Sequence, residues 1–196
     1  VVEFKSKIAK FELVGKEEVV DREEIIKEDV KLPDDSPARM KTLRAEGKKW
    51  YLTVVYHETT EQPFAMFCHT NSHDKSTQTS DAVERLVKLA RKKKIQKKHI
   101  DATLEKTNVD SNVSKLTRII SLLLRHGVLI KNIVAELDRM EDIFVGSFLF
   151  QVKKFLSQYI HNGEEVEGSV CSECGGTLVF SEGCMSCRDC GNSKCS

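Results

Sequence analysis

Six of the seven cysteines in this 196-residue chain fall within its last 26 residues, CSECGGTLVFSEGCMSCRDCGNSKCS. Thiolates at that density do one of two kinds of chemistry: they bind a soft metal ion, or they exchange disulfides. Three CxxC pairs can be drawn: Cys171/Cys174, Cys184/Cys187 and Cys187/Cys190. A CxxC turn presents two thiolates from one tight loop, and two such turns facing each other complete a tetrahedron. Glycine chooses between the pairs. After the second cysteine of a zinc knuckle the chain must turn so that backbone N–H groups point at sulfur, and glycine tolerates that turn best. Gly175 follows Cys174 and Gly191 follows Cys190, whereas Arg188 follows Cys187. The metal is therefore assigned to Cys171, Cys174, Cys187 and Cys190. The expected ion is Zn2+ in a structural role, because four cysteines leave no open position for a catalytic water. A piece this short has too little core to fold without its metal. Cys184 and Cys195 are left over. They read either as a redox dithiol on a mobile tail, acting by disulfide exchange, or as alternative ligands and plain free thiols.

Other residues with chemical potential are fewer. Arg91 to Lys98, RKKKIQKK, carries six cations: Arg91, Lys92, Lys93, Lys94, Lys97 and Lys98. They could contact phosphates, giving salt-sensitive binding, or they could form a solvated helix end where cations suit the dipole. No interleaved aromatic residues support base stacking there. Cys68, His69 and His73 do not complete a tetrahedron with anything local and read as a polar loop. His126 falls at a helix C-terminus, where a cation is favourable. Asp81 with Glu84, and Glu141 with Asp142, read as surface charges. No phosphate-cradling glycine loop, nucleophile elbow or triad is present.

The elements that must hold these residues are legible in outline. Residues 1 to 32 fit neither helical nor strand period and are read as an arm. Leu32 to Ala38, LPDDSPA, holds two of the three prolines and reads as a linker. Trp50 to Tyr56 is rich in aromatic and β-branched residues and predicts a strand; Phe64 to His69 predicts a second, with HETTEQP as the hairpin connection. Asn71 to Ser80 reads as a polar loop. Asp81 is placed as the cap of a helix with Val83, Leu86, Val87 and Ala90 on one face. Ser114 to His126 predicts an apolar helix, with Gly127 where a C′ glycine belongs. Ile130 to Met140 predicts a short helix with Ile133, Val134 and Leu137 inward. Ser147 to Ile160 predicts an amphipathic helix closed by Asn162-Gly163. Glu164 to Val170 reads as a linker, and Thr177 to Phe180 as a ribbon strand. The expected core includes Leu122, Leu123, Ile133, Phe148 and Phe155.

Composition bounds the function class. Net charge is +1, so attraction to nucleic acid or an acidic membrane must come from a local patch. There is no run of 18 apolar residues, so no membrane partner is expected. The first residues, VVEFKSKIAK, lack the pattern of a secretory signal, and clustered CxxC pairs without one point to metal binding in a reducing compartment, the cytoplasm.

The tail CSECGGTLVFSEGCMSCRDCGNSKC resembles the C-terminal zinc module of class II, adenosylcobalamin-dependent ribonucleotide reductases, which end in a similar order of C-x-x-C-G, E-G-C, C-x-x-C-G and S-K-C. RIISLLLRHGVLIKNIVAELDRM, followed by SFLFQVKKFLSQYIHNGEEV, is similar to the TSCPD accessory domain that precedes that module, and WYLTVVYHETTEQPFAMFCH resembles its opening hairpin. The likeness covers roughly residues 38 to 195. It implies that Cys184 and Cys195 match the cysteine pair that re-reduces the reductase active site. The sequence also departs from the family. The large catalytic barrel is absent, so adenosylcobalamin is not expected on this chain and ribonucleotide reduction by it alone is not expected. Asn71 to Ser80 replaces a glycine-rich loop, and a lysine-rich segment separates two elements that are normally closer.

The expectation is an α+β protein: an arm and linker over 1–37, a TSCPD-like domain over 38–163 with a small hairpin or sheet packed by three to four helices, and a four-cysteine zinc ribbon with a cysteine tail over 164–196. The expected function is that of a non-catalytic zinc-binding accessory module docking on a protein partner, such as a reductase catalytic chain. The alternative is a stand-alone zinc-ribbon protein that binds nucleic acid or a protein through Arg91–Lys98 and the ribbon.

Overall fold

The computed structural model describes residues 31–69, 77–105, 112–140, 143–181 and 184–194. Most of the expected arm, residues 1–30, lies outside them. The fold is α+β, with two antiparallel sheets and five helices among the described residues.

The first sheet is a meander of β1 (Ala38–Ala45), β2 (Lys48–Tyr56) and β3 (Pro63–His69) in spatial order β1-β2-β3. The sequence predicts β2 and β3 but not β1, whose ARMKTLRA carries three cations and one β-branched residue. β1 forms because its backbone pairs with β2 across a two-residue turn. Glu46 and Gly47 both take positive φ, 53° and 71°, the geometry that matches the twist of a tight hairpin. Side chains alternate across the sheet. Leu43, Trp50, Leu52, Val54, Met66 and Cys68 point into the core and are buried.

Five helices follow: α1 (Thr77–Lys92), α2 (Lys97–Glu105), α3 (Asn112–Arg125), α4 (Ile130–Asp138) and α5 (Phe148–Ser157). α1 begins four residues before the expected cap, so Asp81 sits in its second turn and the last residues of the expected loop are helical. Its buried stripe is Ala82, Leu86, Leu89 and Ala90, with Val83 and Val87 at the margins. α2 is an element that the lysine-rich composition concealed; Ile95 and Ile100 anchor it in the core.

α3 is the central helix. It ends as expected at Gly127, with φ 71°. The Val128 N–H bonds to the Leu123 carbonyl and the Gly127 N–H to the Leu124 carbonyl, both at 3.0 Å, the paired bonds of a Schellman cap. α3 lies against β3, the edge strand. The Met66 N–H donates to Ser121 Oγ at 2.8 Å, and that hydroxyl reaches back to the Met66 carbonyl at 2.7 Å. One serine thus serves both the N–H and the carbonyl of Met66 on an otherwise open strand edge, its single proton shared with the Thr117 carbonyl at 2.8 Å.

α5 starts at the N-cap Ser147, whose hydroxyl accepts from the Phe150 N–H. Its Phe148 packs against Trp50 with ring centroids 4.7 Å apart and the rings tilted by 44°. Leu122, Leu123, Ile133, Phe148 and Phe155, the expected core residues, are all buried.

The second sheet is β4 (Glu165–Val170), β5 (Thr177–Ser181), β6 (Cys184–Cys187) and β7 (Ser193–Lys194), in that spatial order. The stretch expected to be a linker is therefore strand β4. It packs against α4, and Arg139 of that helical segment donates to the Gly168 carbonyl. Val166, Leu178, Phe180 and Met185 join the same hydrophobic core as the helices. This shared core seats the ribbon on the helical layer.

Candidate metal centre

The two CxxC turns are built alike. In the first, the Gly175 N–H bonds to the Cys171 carbonyl at 2.9 Å and the Cys171 N–H to the Gly176 carbonyl at 2.9 Å. In the second, the Gly191 N–H bonds to the Cys187 carbonyl at 3.0 Å and the Cys187 N–H to the Asn192 carbonyl at 2.7 Å. Gly175 and Gly191 both have φ 72°, a left-handed turn that a side chain would strain. Glycine after the second cysteine of each turn is thus what lets the chain close the turn without strain.

β5 and β6 bring the turns together. Leu178 pairs with Cys187, and the Arg188 N–H bonds to the Thr177 carbonyl at 3.0 Å. Asp189 adds a second tie, its Oδ2 accepting the Thr177 N–H at 3.2 Å. Gly176 makes room for that carboxylate, since a Cβ at this position would lie 2.1 Å from Asp189 Oδ2. Asp189 and Gly176 are site residues that cysteine spacing does not reveal.

The result is a cluster in which the Sγ atoms of Cys171, Cys174, Cys187 and Cys190 all lie within 4.8 Å of one another. Cys171 to Cys190 is 3.7 Å and Cys174 to Cys187 is 3.4 Å. Four sulfurs about 2.3 Å from a tetrahedral ion stand about 3.8 Å apart, so the quartet has the dimensions to hold a metal. Each turn gives one buried thiol, Cys171 or Cys187, and one exposed thiol, Cys174 or Cys190.

The electrostatics agree with a site that wants a cation. N–H groups of Cys174 and Glu173 aim at the Cys171 sulfur and, with its thiol neighbours, bring it down from 9.0 to about 6. The Gly176 N–H pulls Cys174 the same way, but crowding by Cys187, Cys190 and Cys171, together with desolvation, pushes it up to about 12. Cys190 is pulled down by the Asn192 N–H and by Cys174, yet desolvation and the other two thiols leave it raised. One thiolate among these neighbours discourages the next, and a bound cation removes that conflict.

The other candidate residues are scattered. Cys184 opens β6, half-buried, and takes part in a disulfide. Cys195 lies outside the described residues. Arg91 to Lys98 spans the corner between α1 and α2, with Arg91, Lys92, Lys94, Lys97 and Lys98 exposed and Lys93 half-buried. Cys68 is buried on the inner face of β3, where desolvation raises it to about 12, so it is a core residue rather than a ligand. The side chain of His69 and the whole of His73 lie outside the described residues, as do Glu141 and Asp142. Asp81 and Glu84 are exposed on α1. His126 caps α3 but is buried, its ring 5.6 Å from that of His99. No helix among the described residues is long and apolar enough to cross a membrane. Comparison with protein-family models, with curated proteins and with solved structures gives no match to this chain.

Proposed function

We propose that the chain is a non-catalytic accessory protein whose ribbon is held by a structural Zn2+ ion, and that it acts by docking on a protein partner in the cytoplasm. The quartet geometry carries this reading. Four cysteine sulfurs at tetrahedral spacing fill the shell of a zinc ion and leave no position for substrate or an activated water. The ion would fix β4 to β7, and through the shared core it would fix the ribbon's outer surface relative to the helices. Zinc content of protein purified without added metal tests the first step. One ion per chain, lost together with ribbon structure when Cys171 or Cys187 becomes Ser, is the expected result. Iron, or no metal, would refute zinc.

The resemblance of the tail to the class II reductase module gives the partner its chemistry: a separate catalytic chain whose active-site disulfide must be reduced. Lys194, which precedes Cys195 in sequence, pairs with Met185, which follows Cys184. In the relay we propose, a thiolate of the Cys184/Cys195 pair attacks the partner's disulfide and forms a mixed disulfide. The second thiol of the pair then displaces the partner's sulfur. The partner gains two electrons and two protons, and the pair ends as a disulfide that a cellular dithiol must reduce. Cys184→Ser is expected to abolish turnover of the reconstituted complex while leaving zinc content intact. Normal turnover of that variant under thioredoxin supply would end the relay reading.

A second reading rests on the exposed cations at the α1–α2 corner. They would contact nucleic acid or an acidic protein surface together with the ribbon, with no reductase role. This reading expects salt-sensitive DNA or RNA binding that weakens when Lys92, Lys93 and Lys94 become Ala. Unchanged binding by that triple variant would remove the corner from the interface.

A further inference from the structure

The two faces of the β1–β3 sheet differ in kind. One carries the core residues described above. On the other, strand register sets Arg44 opposite Lys49, Thr42 opposite Tyr51, and Met40, Thr53 and Phe67 in one row. Towards the β1–β2 turn this face is exposed: Met40 is 70% and Tyr51 41% exposed, and Thr42, Arg44 and Lys49 are exposed; towards its other end Phe67 is half-buried and Val55 and Ala65 are buried. Beyond β3 the face continues into a cavity of about 380 Å³, where Phe67 is joined by Arg118 and Arg125 of α3.

Charge on this sheet is one-sided. The three strands contain Arg39, Lys41, Arg44, Lys48 and Lys49 and no carboxylate, in a chain whose net charge is only +1; register puts Arg44 and Lys49 on this face, while Arg39 and Lys41 lie on the other, over the rings of Tyr56 and Phe155. Arg44 and Lys49 stand directly across from each other, and neither has an ion-pair partner among the described residues. Glu46, in the turn beside them, has its carboxylate directed at the Phe148 N–H. Like charges directly opposite destabilise a strand pair. A local conflict of that sort marks a surface shaped for something other than stability.

We propose that this face binds single-stranded nucleic acid. Unpaired bases stack on the rings of Tyr51 and Phe67. Phosphates are held by Arg44 and Lys49 at one end and by Arg118 beside the far edge. Exposed aromatic side chains on an antiparallel sheet offer a π-face to any base, and cations around them track the backbone. A duplex hides its base faces and gains only the cation contacts. The proposal does not depend on the α1–α2 corner, which is a different surface, nor on the reductase reading.

The test is fluorescence anisotropy with the full, zinc-loaded chain. The probes are labelled oligothymidylate and oligouridylate of about a dozen nucleotides, within the range that single-strand-binding proteins cover, with a duplex of equal length as comparison. Saturable binding to the single strands, and weaker binding to the duplex, is expected. Tyr51→Ala, at an exposed position, is expected to weaken binding on the order of ten-fold. Arg44→Gln and Lys49→Gln should each weaken it and lower the salt slope by about 0.7. The same two changes should leave the thermal midpoint unchanged or raise it, because each removes a like-charge contact. Lys92, Lys93 and Lys94 changed together to Ala should leave this binding largely intact. The proposal is overturned by no single-strand binding at low salt, by equal affinity for duplex, by full affinity in the Tyr51 variant, by a lower midpoint in both glutamine variants, or by loss of binding in the lysine triple variant.

Discussion

Gly176→Ala probes how the two cysteine turns are held together. The added Cβ would sit 2.1 Å from Asp189 Oδ2 and 2.9 Å from its Cγ, so the Asp189 carboxylate must swing away. The backbone itself does not object, since Gly176 is not among the glycines with positive φ. What is lost is the bond from the Thr177 N–H to the carboxylate, 3.2 Å long and exposed. A hydrogen bond to a charged group contributes about 1.5–3 kcal/mol, and solvent at this site reduces that to about 1 kcal/mol. The tie spans the two turns, so its loss falls on metal affinity. About 1 kcal/mol is roughly a five-fold weaker Kd for zinc, readable by competition with a chromophoric chelator. Asp189→Ala should produce the same loss, and the double variant should lose no more than either single one, because both remove one contact. Gly175→Ala provides the contrast. It meets nothing within 4 Å but has φ +72°, so its penalty of about 1 kcal/mol is conformational and should add to that of Asp189→Ala. Wild-type affinity in Gly176→Ala, or strictly additive losses with Asp189→Ala, would refute the clamp.

Ser121→Ala should lower stability by about 2 kcal/mol, because the Met66 N–H and carbonyl lose a buried partner together; a urea midpoint equal to wild type would show that β3 finds another. Zinc affinity should fall as pH is lowered from about 8 to about 6, because each ligand thiol must lose its proton to bind the ion; a Kd unchanged over that range by chelator competition would contradict a shell of thiolates.

Local chemistry made part of this protein legible without a fold. The CxxCG turns are self-contained: glycine after the second cysteine permits the left-handed step that closes each turn, and nothing distant is needed. The same holds for Gly127 ending α3 and for the apolar spacing that buried Leu122, Leu123, Ile133, Phe148 and Phe155. Tertiary structure decided the rest. β1 and β4 have little strand character of their own. They are strands because β2 and β5 offer them a backbone to pair with, and in β4's case because α4 lies alongside. α2 reads as a lysine run until Ile95 and Ile100 find the core. Asp189 and Gly176 matter only because β5 and β6 bring one cysteine turn against the other. The opposed Arg44 and Lys49 likewise exist as a pair only through strand register. Sequence spacing specified which thiols could share an ion. Contacts between residues far apart in the chain determined what surrounds that ion, and which faces of the molecule remain open.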